Sequence, residues 1–471
     1  MTAGLPAVET TPIPGLLVVR LDVREDARGW FKENWQREKM TALGLPDFGP
    51  VQNNISFNAS RGATRGIHTE PWDKFVSVAN GRIFGAWVDM REGDTFGTTF
   101  HVEMDPSVAV FVPRGVGNSY QTVEDGVAYT YLVNEHWRPG TAYPAADLGD
   151  PALAIPWPIP LAECEISEKD QHNPTIDQVV AMRPKKTLII GALGQLGRAL
   201  QPVFPEADLV DLAELDLTDA GAVAAWPWPD YGLVLNAAAY TAVDAAETVD
   251  GRRTCWAANA SAPATLARLS DEHGFTLVHY SSEYVFDGTV TDHTEDEPVS
   301  PLGVYAQSKA AGDLAVGTAR RHYILRTSWV IGDGNNFVRT MRRLATQGVS
   351  PDVVSDQVGR LTFTSELTRA TRHLLDGSAP FGTYNVSNGG PAMSWAEIAG
   401  AVFEHVGRSA GDVRPITTAE YAAGKTLSPR PASSTMSLRK IEATGFEPRD
   451  QLDSLREYLQ ADADSGTDTR P

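Results

Sequence analysis

Cysteine is almost missing from this chain. Its 471 residues include two, Cys164 and Cys255, too few for a disulfide framework and too far apart for a CxxC metal site, so both are expected to be unpaired thiols. Long apolar runs are missing as well. No stretch approaches the length that crosses a bilayer, and Met1 to Thr11 lacks the basic start and apolar centre of a secretion signal. These two absences lead us to expect a soluble, cytoplasmic protein with no membrane partner. Positive charge is in deficit, with 40 Lys and Arg against 60 Asp and Glu and a formal net charge of -20. That balance argues against a nucleic-acid partner, because a phosphate backbone is held by clustered cations. A local basic pocket for a small phosphate remains compatible with it.

Helical periodicity is absent from about Gly15 to Pro158, apart from a short piece at Glu38 to Leu43. Instead, short apolar runs alternate with Gly, Pro, Asn and Asp, which predicts an all-β sandwich or barrel, read here as a jelly roll. Leu16 to Val23, Lys74 to Val78, Ile83 to Met90, Thr98 to Met104, Val108 to Val112 and Val127 to Val133 are the candidate strands. A polar connector with Pro174 and Pro184 follows, and from Lys186 the pattern changes. Strands at Lys186 to Ile190, Asp208 to Asp211, Leu233 to Asn236, Thr276 to Ser281 and Tyr323 to Arg326 alternate with helical stretches such as Gly251 to His273. This predicts an α/β doubly wound sheet of the Rossmann type. A helix at Trp395 to Val406 is assigned to a smaller substrate lobe. The length suits several domains, and the boundaries are drawn as 1-182, 183-460 and a disordered polar tail, 461-471.

The second half carries the sharper chemical signal. The strand ending at Ile190 runs directly into Gly191-Ala192-Leu193-Gly194-Gln195-Leu196-Gly197 and then a helix. Gly191 suits a tight turn, Gly194 a close backbone approach to a pyrophosphate, and Gly197 close helix packing. Farther on, Tyr305-Ala306-Gln307-Ser308-Lys309 places a phenol and an ammonium on one helix face, fit to donate a proton during hydride transfer. By itself such a pair is commonly a solvated coincidence, and a lone glycine triplet is often only a turn. In the first half, Arg65-Gly66-Ile67-His68 sets a cation near a titratable imidazole. In a regular strand these two would face opposite ways, so a bend at Gly66 is required, and the bland reading is a core histidine satisfied by one hydrogen bond.

Ordered sets of motifs resolve both halves. Asp26-Ala27-Arg28-Gly29-Trp30-Phe31-Lys32-Glu33, Val51-Gln52-Asn53-Asn54, Lys74, Pro113-Arg114-Gly115, Tyr131 and Ser167-Glu168-Lys169-Asp170 follow one another as in dTDP-4-dehydrorhamnose 3,5-epimerases, which the first half resembles. The resemblance implies a cupin-like jelly roll binding a dTDP-linked 4-keto-6-deoxyhexose, with proton abstraction beside the C4 ketone. It implies His68 as base, Asp170 as its holder and Tyr131 as acid. Arg65 and Arg28 suit the pyrophosphate, Glu33, Gln52, Asn54 and Lys169 the nucleotide or sugar, and Lys74 the enolate oxygen. Asn118 stands where the family usually has a second histidine, and His136, Trp137, Gly140 and Thr141 also depart from its pattern. An amide cannot carry protons at neutral pH.

Asp216-Leu217-Thr218, Asn236-Ala237-Ala238-Ala239-Tyr240, Ser281-Ser282-Glu283-Tyr284-Val285-Phe286 and Tyr305 to Lys309 follow the order of an extended short-chain dehydrogenase/reductase. Arg326-Thr327-Ser328-Trp329, Asn335-Asn336-Phe337, Asp356-Gln357-Val358-Gly359 and Arg430-Pro431-Ala432 narrow the resemblance to dTDP-4-dehydrorhamnose reductases over about Lys186 to Leu459. It implies Ser282 bonding the C4 carbonyl, Tyr305 protonating the alkoxide, and Lys309 lowering the tyrosine's pKa. Cofactor contacts are assigned to Gly191, Gly194, Gln195, Leu196, Gly197, Asp211, Asp216, Leu217, Asn236, Ala237, Ala238, Tyr305 and Lys309. Thr241, Val243, Glu283, Tyr284, Trp329, Asn336 and Arg430 are substrate-pocket candidates, with Trp329 and Tyr284 equally readable as core aromatics. Glu283 replaces the family's aspartate and is expected to carry the same charge. Asp211 leans toward NADH while the family commonly uses NADPH, so both stay open. No metal is expected.

The epimerase's product is the reductase's substrate, so the two resemblances point to a bifunctional enzyme forming dTDP-L-rhamnose, in a homo-oligomer. A related enzyme acting on another sugar, or epimerising one carbon, stays open because of Asn118. So does a non-catalytic regulatory role, because the regulatory subunit of methionine adenosyltransferase resembles such reductases.

Overall fold

The structure, a computed structural model, describes residues 7-136, 143-377 and 379-464. It divides into two compact units, Met1–Pro184 and Lys185–Pro471. The division falls just beyond Met182 because that residue still belongs to the first unit, its N–H donating to Met90 O at 2.7 Å.

In chain order the first unit's strands begin with β1 (Ala7–Thr10), β2 (Leu17–Arg20), β3 (Val23–Asp26), β4 (Gly29–Lys32), β5 (Gln52–Asn58) and β6 (Ala63–His68). Then come β7 (Lys74–Asn80), β8 (Ile83–Asp89), β9 (Thr99–Met104), β10 (Val108–Val112), β11 (Val116–Thr122), β12 (Val127–Val133) and β13 (Glu165–Ile166). Among the described residues they form two facing sheets, ordered β1-β2-β10-β7-β12-β5 and β13-β6-β11-β8-β9, with β3 and β4 as a separate hairpin. Val76, Val78, Val110 and Tyr129 of the first sheet meet Trp87 and Tyr120 of the second in a shared core. On the first sheet's other face, Val19, Phe75 and Phe111 lie under Met40 of the short helix α1 (Arg37–Ala42), Leu45 and Phe48. Strands covered on both faces, such as Val108–Val112 with every residue buried, read as continuous apolar runs rather than alternating ones. Each large side chain enclosed this way contributes about 1.5–3 kcal/mol.

β5, β6 and β11 had not been recognised as strands. Their sequences, QNNISFN, ATRGIH and VGNSYQT, are polar partly because Ser56, Arg65, His68 and Asn118 line a cavity rather than a core. The expected strand from Leu16 to Val23 is broken, since β2 ends at Arg20 and β3 begins at Val23.

The second unit contains β14 (Lys186–Ile190), α2 (Gln195–Leu200), β15 (Asp208–Val210), β16 (Tyr231–Asn236), α3 (Ala262–His273), β17 (Thr276–Ser282), α4 (Val304–Val316), β18 (His322–Thr327) and β19 (Gly382–Asn385). Among the described residues its main sheet is parallel, ordered β15-β14-β16-β17-β18-β19, with apolar clusters on both faces. The order reverses between β14 and β16, where an open α/β sheet leaves a crevice at the strands' carboxyl ends. The helical stretch expected from Gly251 to His273 is interrupted by a wide turn at Ala257–Ser261.

Trp395–His405 begins with a capping box between Ser394 and Glu397 and packs Ile398, Val402 and Phe403 into a third cluster with Leu455 and Leu459. The tail expected to be disordered is helical at its start, because the helix Gln451–Asp464 runs through Ala461. Residues 465-471 lie outside the described residues, as do Trp137, Gly140 and Thr141. No helix among the described residues is long and apolar enough to cross a membrane.

Candidate active sites

A cavity of about 290 Å³ opens between the two sheets of the first unit. His68, Arg65, Lys74, Asn118, Tyr131, Lys169 and Asp170 all line it, together with Glu70, Tyr120 and Tyr129, which sequence reasoning did not single out. Arg65 and His68 share this wall because β6 bulges. His68 pairs with Asn118 and Arg65 with Tyr120, so three steps along β6 match two along β11. Gly66 makes the bulge feasible: it sits at φ +116°, and a Cβ there would lie 2.5 Å from Ser119 Cβ and 2.7 Å from Asn118 O.

His68 Nε2 lies 2.7 Å from Asp170 Oδ1, and Asp170 Oδ2 accepts the Gly66 N–H at 3.4 Å. Burial alone would raise the Asp170 carboxyl. The hydrogen bond and charge of His68, with further bonds from Gly66 and Ser167, overcome it and hold the group below its ordinary range. Tyr131 comes from β12 in the opposite sheet, so the imidazole and the phenol approach the cavity from opposing walls. Burial, then the charge of Glu70, pushes the Tyr131 phenol up, so it is protonated at neutral pH. Lys74, buried, is paired with Glu70. Glu70 follows His68 by two residues and carries no sequence signal of its own.

Other candidates of this unit are not brought to the cavity. Arg28 sits on the exposed β3–β4 hairpin, paired with Asp26, and Glu33 is paired with Lys39. Gln52 and Asn54 lie on the edge strand β5, where Gln52 Nε2 donates to Asn54 Oδ1 at 2.8 Å, and Ser56 is that strand's lining residue. His136 is exposed.

In the second unit the loop between β14 and α2 is pressed against its neighbours. A Cβ on Gly191 would lie 2.6 Å from Ala238 N, and one on Gly197 would lie 2.1 Å from Gly191 O. Gly194 would meet only Gly191 O, at 3.3 Å, so its outer side is open for a ligand's close approach. A glycine cradle at the sheet's switch point fits a dinucleotide. Gln195 ties this loop to the segment after β18, its Oε1 accepting the Gly332 N–H at 3.0 Å. Leu196 packs on the core, and Leu217 does so on the sheet's other face. Asn236 ends β16 buried, 3.1 Å from His279 Nδ1.

The catalytic candidates gather at the carboxyl ends of β17 and the start of α4. Ser282 Oγ donates to Glu283 Oε2 at 2.8 Å, and the Tyr284 and Tyr305 rings meet edge-on with centroids 6.0 Å apart. Arg430 Nη2 donates to Asp244 Oδ2 at 2.9 Å and also bonds Tyr284. Asp244, which follows Val243 directly, is not among the site candidates expected from the sequence. Glu247 and Asn259 carried no signal: Glu247 accepts from Ser428 and Val304, and Asn259 clamps the Tyr240 backbone through both ends of its amide.

Several expectations change here. Glu283 does not keep a surface carboxylate's charge, since burial pushes it up to about 7 against hydrogen bonds from Ser282 and Ser434. The Tyr305 phenol lies above its ordinary range even with Lys309 one helical turn away. Lys309 Nζ donates to Tyr280 O at 2.7 Å and burial brings it down to about 8, while burial and the charge of Glu283 raise the Tyr305 phenol. Asp211 accepts the Leu193 and Leu212 N–H groups, both at 2.9 Å, and thus braces the glycine loop. Asp216 accepts Thr218 N and Oγ1 in its own turn. Asn336 caps the helix Phe337–Thr346 and donates to Gly332 O and Tyr458 Oη, which leaves it little for a substrate. Trp329 stacks on Trp395 at 3.7 Å and takes the core alternative. Thr241 is exposed and Val243 half-buried on the loop leading to Asp244.

Fold and sites define a sugar-nucleotide epimerase barrel joined to a reductase of the short-chain dehydrogenase type. Family models match residues 10-178 as dTDP-4-dehydrorhamnose 3,5-epimerase and residues 185-463 as the RmlD substrate binding domain. The chain belongs to both families, as an epimerase–reductase fusion. It is 46% identical to a Streptococcus pyogenes serotype M6 protein named as an RmlC homolog, over 38% of this chain and 92% of that one. It is 35% identical to the dTDP-4-dehydrorhamnose reductase of Aggregatibacter actinomycetemcomitans, over 58% of this chain and 99% of that one. A solved Bacillus anthracis dTDP-4-dehydrorhamnose reductase in complex with NADP superimposes with a TM-score of 0.54 at 31% identity, covering 59% of this chain and 99% of that one.

Proposed function

We infer that this chain converts dTDP-4-dehydro-6-deoxy-D-glucose to dTDP-L-rhamnose in two steps, epimerisation at C3 and C5 and then reduction at C4. The observation that carries the reading is the meeting of the Asp170-held His68 and the protonated Tyr131 from opposing walls of one cavity. A C4 ketone acidifies its neighbouring C–H bonds. His68 removes a proton from one face of the ring and Tyr131 returns one to the other, while the Lys74 ammonium stabilises the enolate oxygen between these events. Asp170 orients the imidazole. Arg65 and Lys169 take the diphosphate and the nucleotide.

In the second unit, the cradle of Gly191, Gly194 and Gly197 would hold NADPH, which when bound would provide the hydride for the C4 carbonyl. NADPH rather than NADH is inferred from the likeness of this unit to the Bacillus anthracis reductase solved with NADP, and Asp211 serves to brace the glycine loop. Ser282 holds the carbonyl oxygen and Tyr305 gives it a proton; the raised phenol is fully protonated before it acts. Lys309 sets the floor of this site through Tyr280 O. Arg430, Asp244 and Tyr284 form the sugar-facing wall. The exposed Trp30, Phe31, Ile55 and Phe57 of the first unit suit coverage by a second copy, consistent with a homo-oligomer at work in the cytoplasm.

The test is to supply dTDP-4-dehydro-6-deoxy-D-glucose with NADPH or NADH in heavy water and follow deuterium at C3 and C5 together with cofactor oxidation. Deuterium at both carbons with a rhamnose product is expected. Exchange at one carbon would mark a single-carbon epimerase, and neither signal would sink the reading in favour of a regulatory protein.

A further inference from the structure

One polar pair in the barrel cavity has no part in the steps above. Asn118 stands on β11 directly opposite His68 in the strand register, on the base's wall. Tyr129 stands on β12, two residues before Tyr131 and therefore on the same inward face, on the acid's wall. Tyr129 Oη donates to Asn118 Oδ1 at 3.2 Å. This bond crosses from one sheet to the other between the two proton carriers. Tyr129 is 2% exposed, its ring stacked on Tyr120 at 4.3 Å and tilted beside Tyr131 at 5.8 Å, so its hydroxyl has little freedom to point elsewhere. Burial holds the phenol protonated far above neutral pH, which keeps it a donor.

An amide has one accepting and one donating end. With the Asn118 carbonyl taken by Tyr129, its Nδ2 is the end left for the cavity, where it makes no hydrogen bond to the described residues. An imidazole at this place would be another proton carrier. The amide shuttles no proton but presents two N–H donors to the oxygen on C4, the carbon adjacent to those His68 deprotonates. Resting on the epimerase reading, we propose that Tyr129 is a positioning residue that locks the Asn118 amide so that its N–H donors grip the C4 oxygen as negative charge grows there. Asn118 then works beside Lys74 as a second, uncharged enolate donor.

The test measures deuterium exchange at C3 and C5 of dTDP-4-dehydro-6-deoxy-D-glucose in the full chain, without NADPH, for Tyr129→Phe, Asn118→Ala and the double variant. Freeing the amide in Tyr129→Phe is expected to lower kcat about tenfold at both carbons with KM nearly unchanged, and deleting it in Asn118→Ala about a hundredfold. Because Tyr129 acts through Asn118, the double variant should be no slower than Asn118→Ala. Losses that multiply in the double variant, a rise in KM alone, or full exchange in Tyr129→Phe would each overturn the proposal while leaving the epimerase reading intact. No exchange in the unaltered chain would overturn both.

Discussion

Asp170 of the barrel and Glu283 of the reductase are equally hidden from solvent, each 4% exposed, yet the first lies below its ordinary pKa range and the second is pushed up to about 7. Depth of enclosure and partners together make the difference, since Glu283 is surrounded by protein whereas Asp170 borders the open cavity. Asp170 is bonded to the His68 imidazole and also receives a backbone N–H, whereas Glu283 is met by serine hydroxyls, which do not offset its burial. The barrel site thus keeps a working charge at its edge, and the reductase site is a place where charge is disfavoured. That suits their chemistry. Proton shuttling needs a base ready to become cationic, while hydride delivery benefits from neutral donors and excluded water.

The contrast breaks most sharply if the two sites are not independent. His68→Asn should remove deuterium exchange, and Tyr305→Phe should remove C4 reduction, each by about 10²–10⁴. Each variant should leave the other half's activity as it was, with the reductase assayed on pre-epimerised ketone. Loss of both activities in either variant would show that the sites are coupled.

The next effect in size concerns stability. A raised carboxyl costs stability wherever the unfolded chain has ionised and the folded one has not, so Glu283 destabilises its unit increasingly as pH rises from about 4.5 to about 7, and the cost persists above that. Glu283→Gln should therefore stabilise the second unit at pH 8 by up to roughly 3 kcal/mol, at about 1.4 kcal/mol per pKa unit, and by little at pH 4. For Asp170 the sign is opposite. Its contribution is present above the unfolded carboxyl's value of about 3.9 and is lost as pH falls through the lower folded value, so Asp170→Asn should flatten the acid limb of the first unit's unfolding. Calorimetry over pH, following both transitions, separates the two.

Gly66→Ala should destabilise the barrel by about 1–3 kcal/mol, through its positive φ and the contact with Ser119, and should weaken exchange more than stability by disturbing the bulge. Smallest is Asn336→Ala, expected to cost about 1 kcal/mol as a lost helix cap with KM for the sugar unchanged. A raised KM in that variant would return Asn336 to the substrate pocket.

Much of the architecture was legible where local pattern decides structure. The run ending at Ile190 and the glycines after it specify a strand, a turn and a helix through short-range sterics, and the parallel sheet follows from strand and helix alternating. β6 and β11 were hidden because Arg65, His68 and Asn118 face a cavity where a core strand would have apolar residues, so strands nearest the chemistry were the hardest to read.

The sequence by itself determined which groups are available: an imidazole and a phenol for moving protons beside a ketone, and a serine, tyrosine and lysine beside a dinucleotide turn. Only the tertiary structure decided how they meet. Arg65 reaches the wall of His68 through a bulge that exists because β11 is its neighbour. Asn336 serves as a cap and Arg28 stays away from the cavity. Glu283 titrates at about 7, so near neutral pH it gives up part of the charge its side chain would carry in water. Spacing along the chain governs geometry within one strand or helix, whereas protonation and pairing across sheets depend on neighbours far away in sequence, whose distance and dielectric surroundings exist only once the chain has folded.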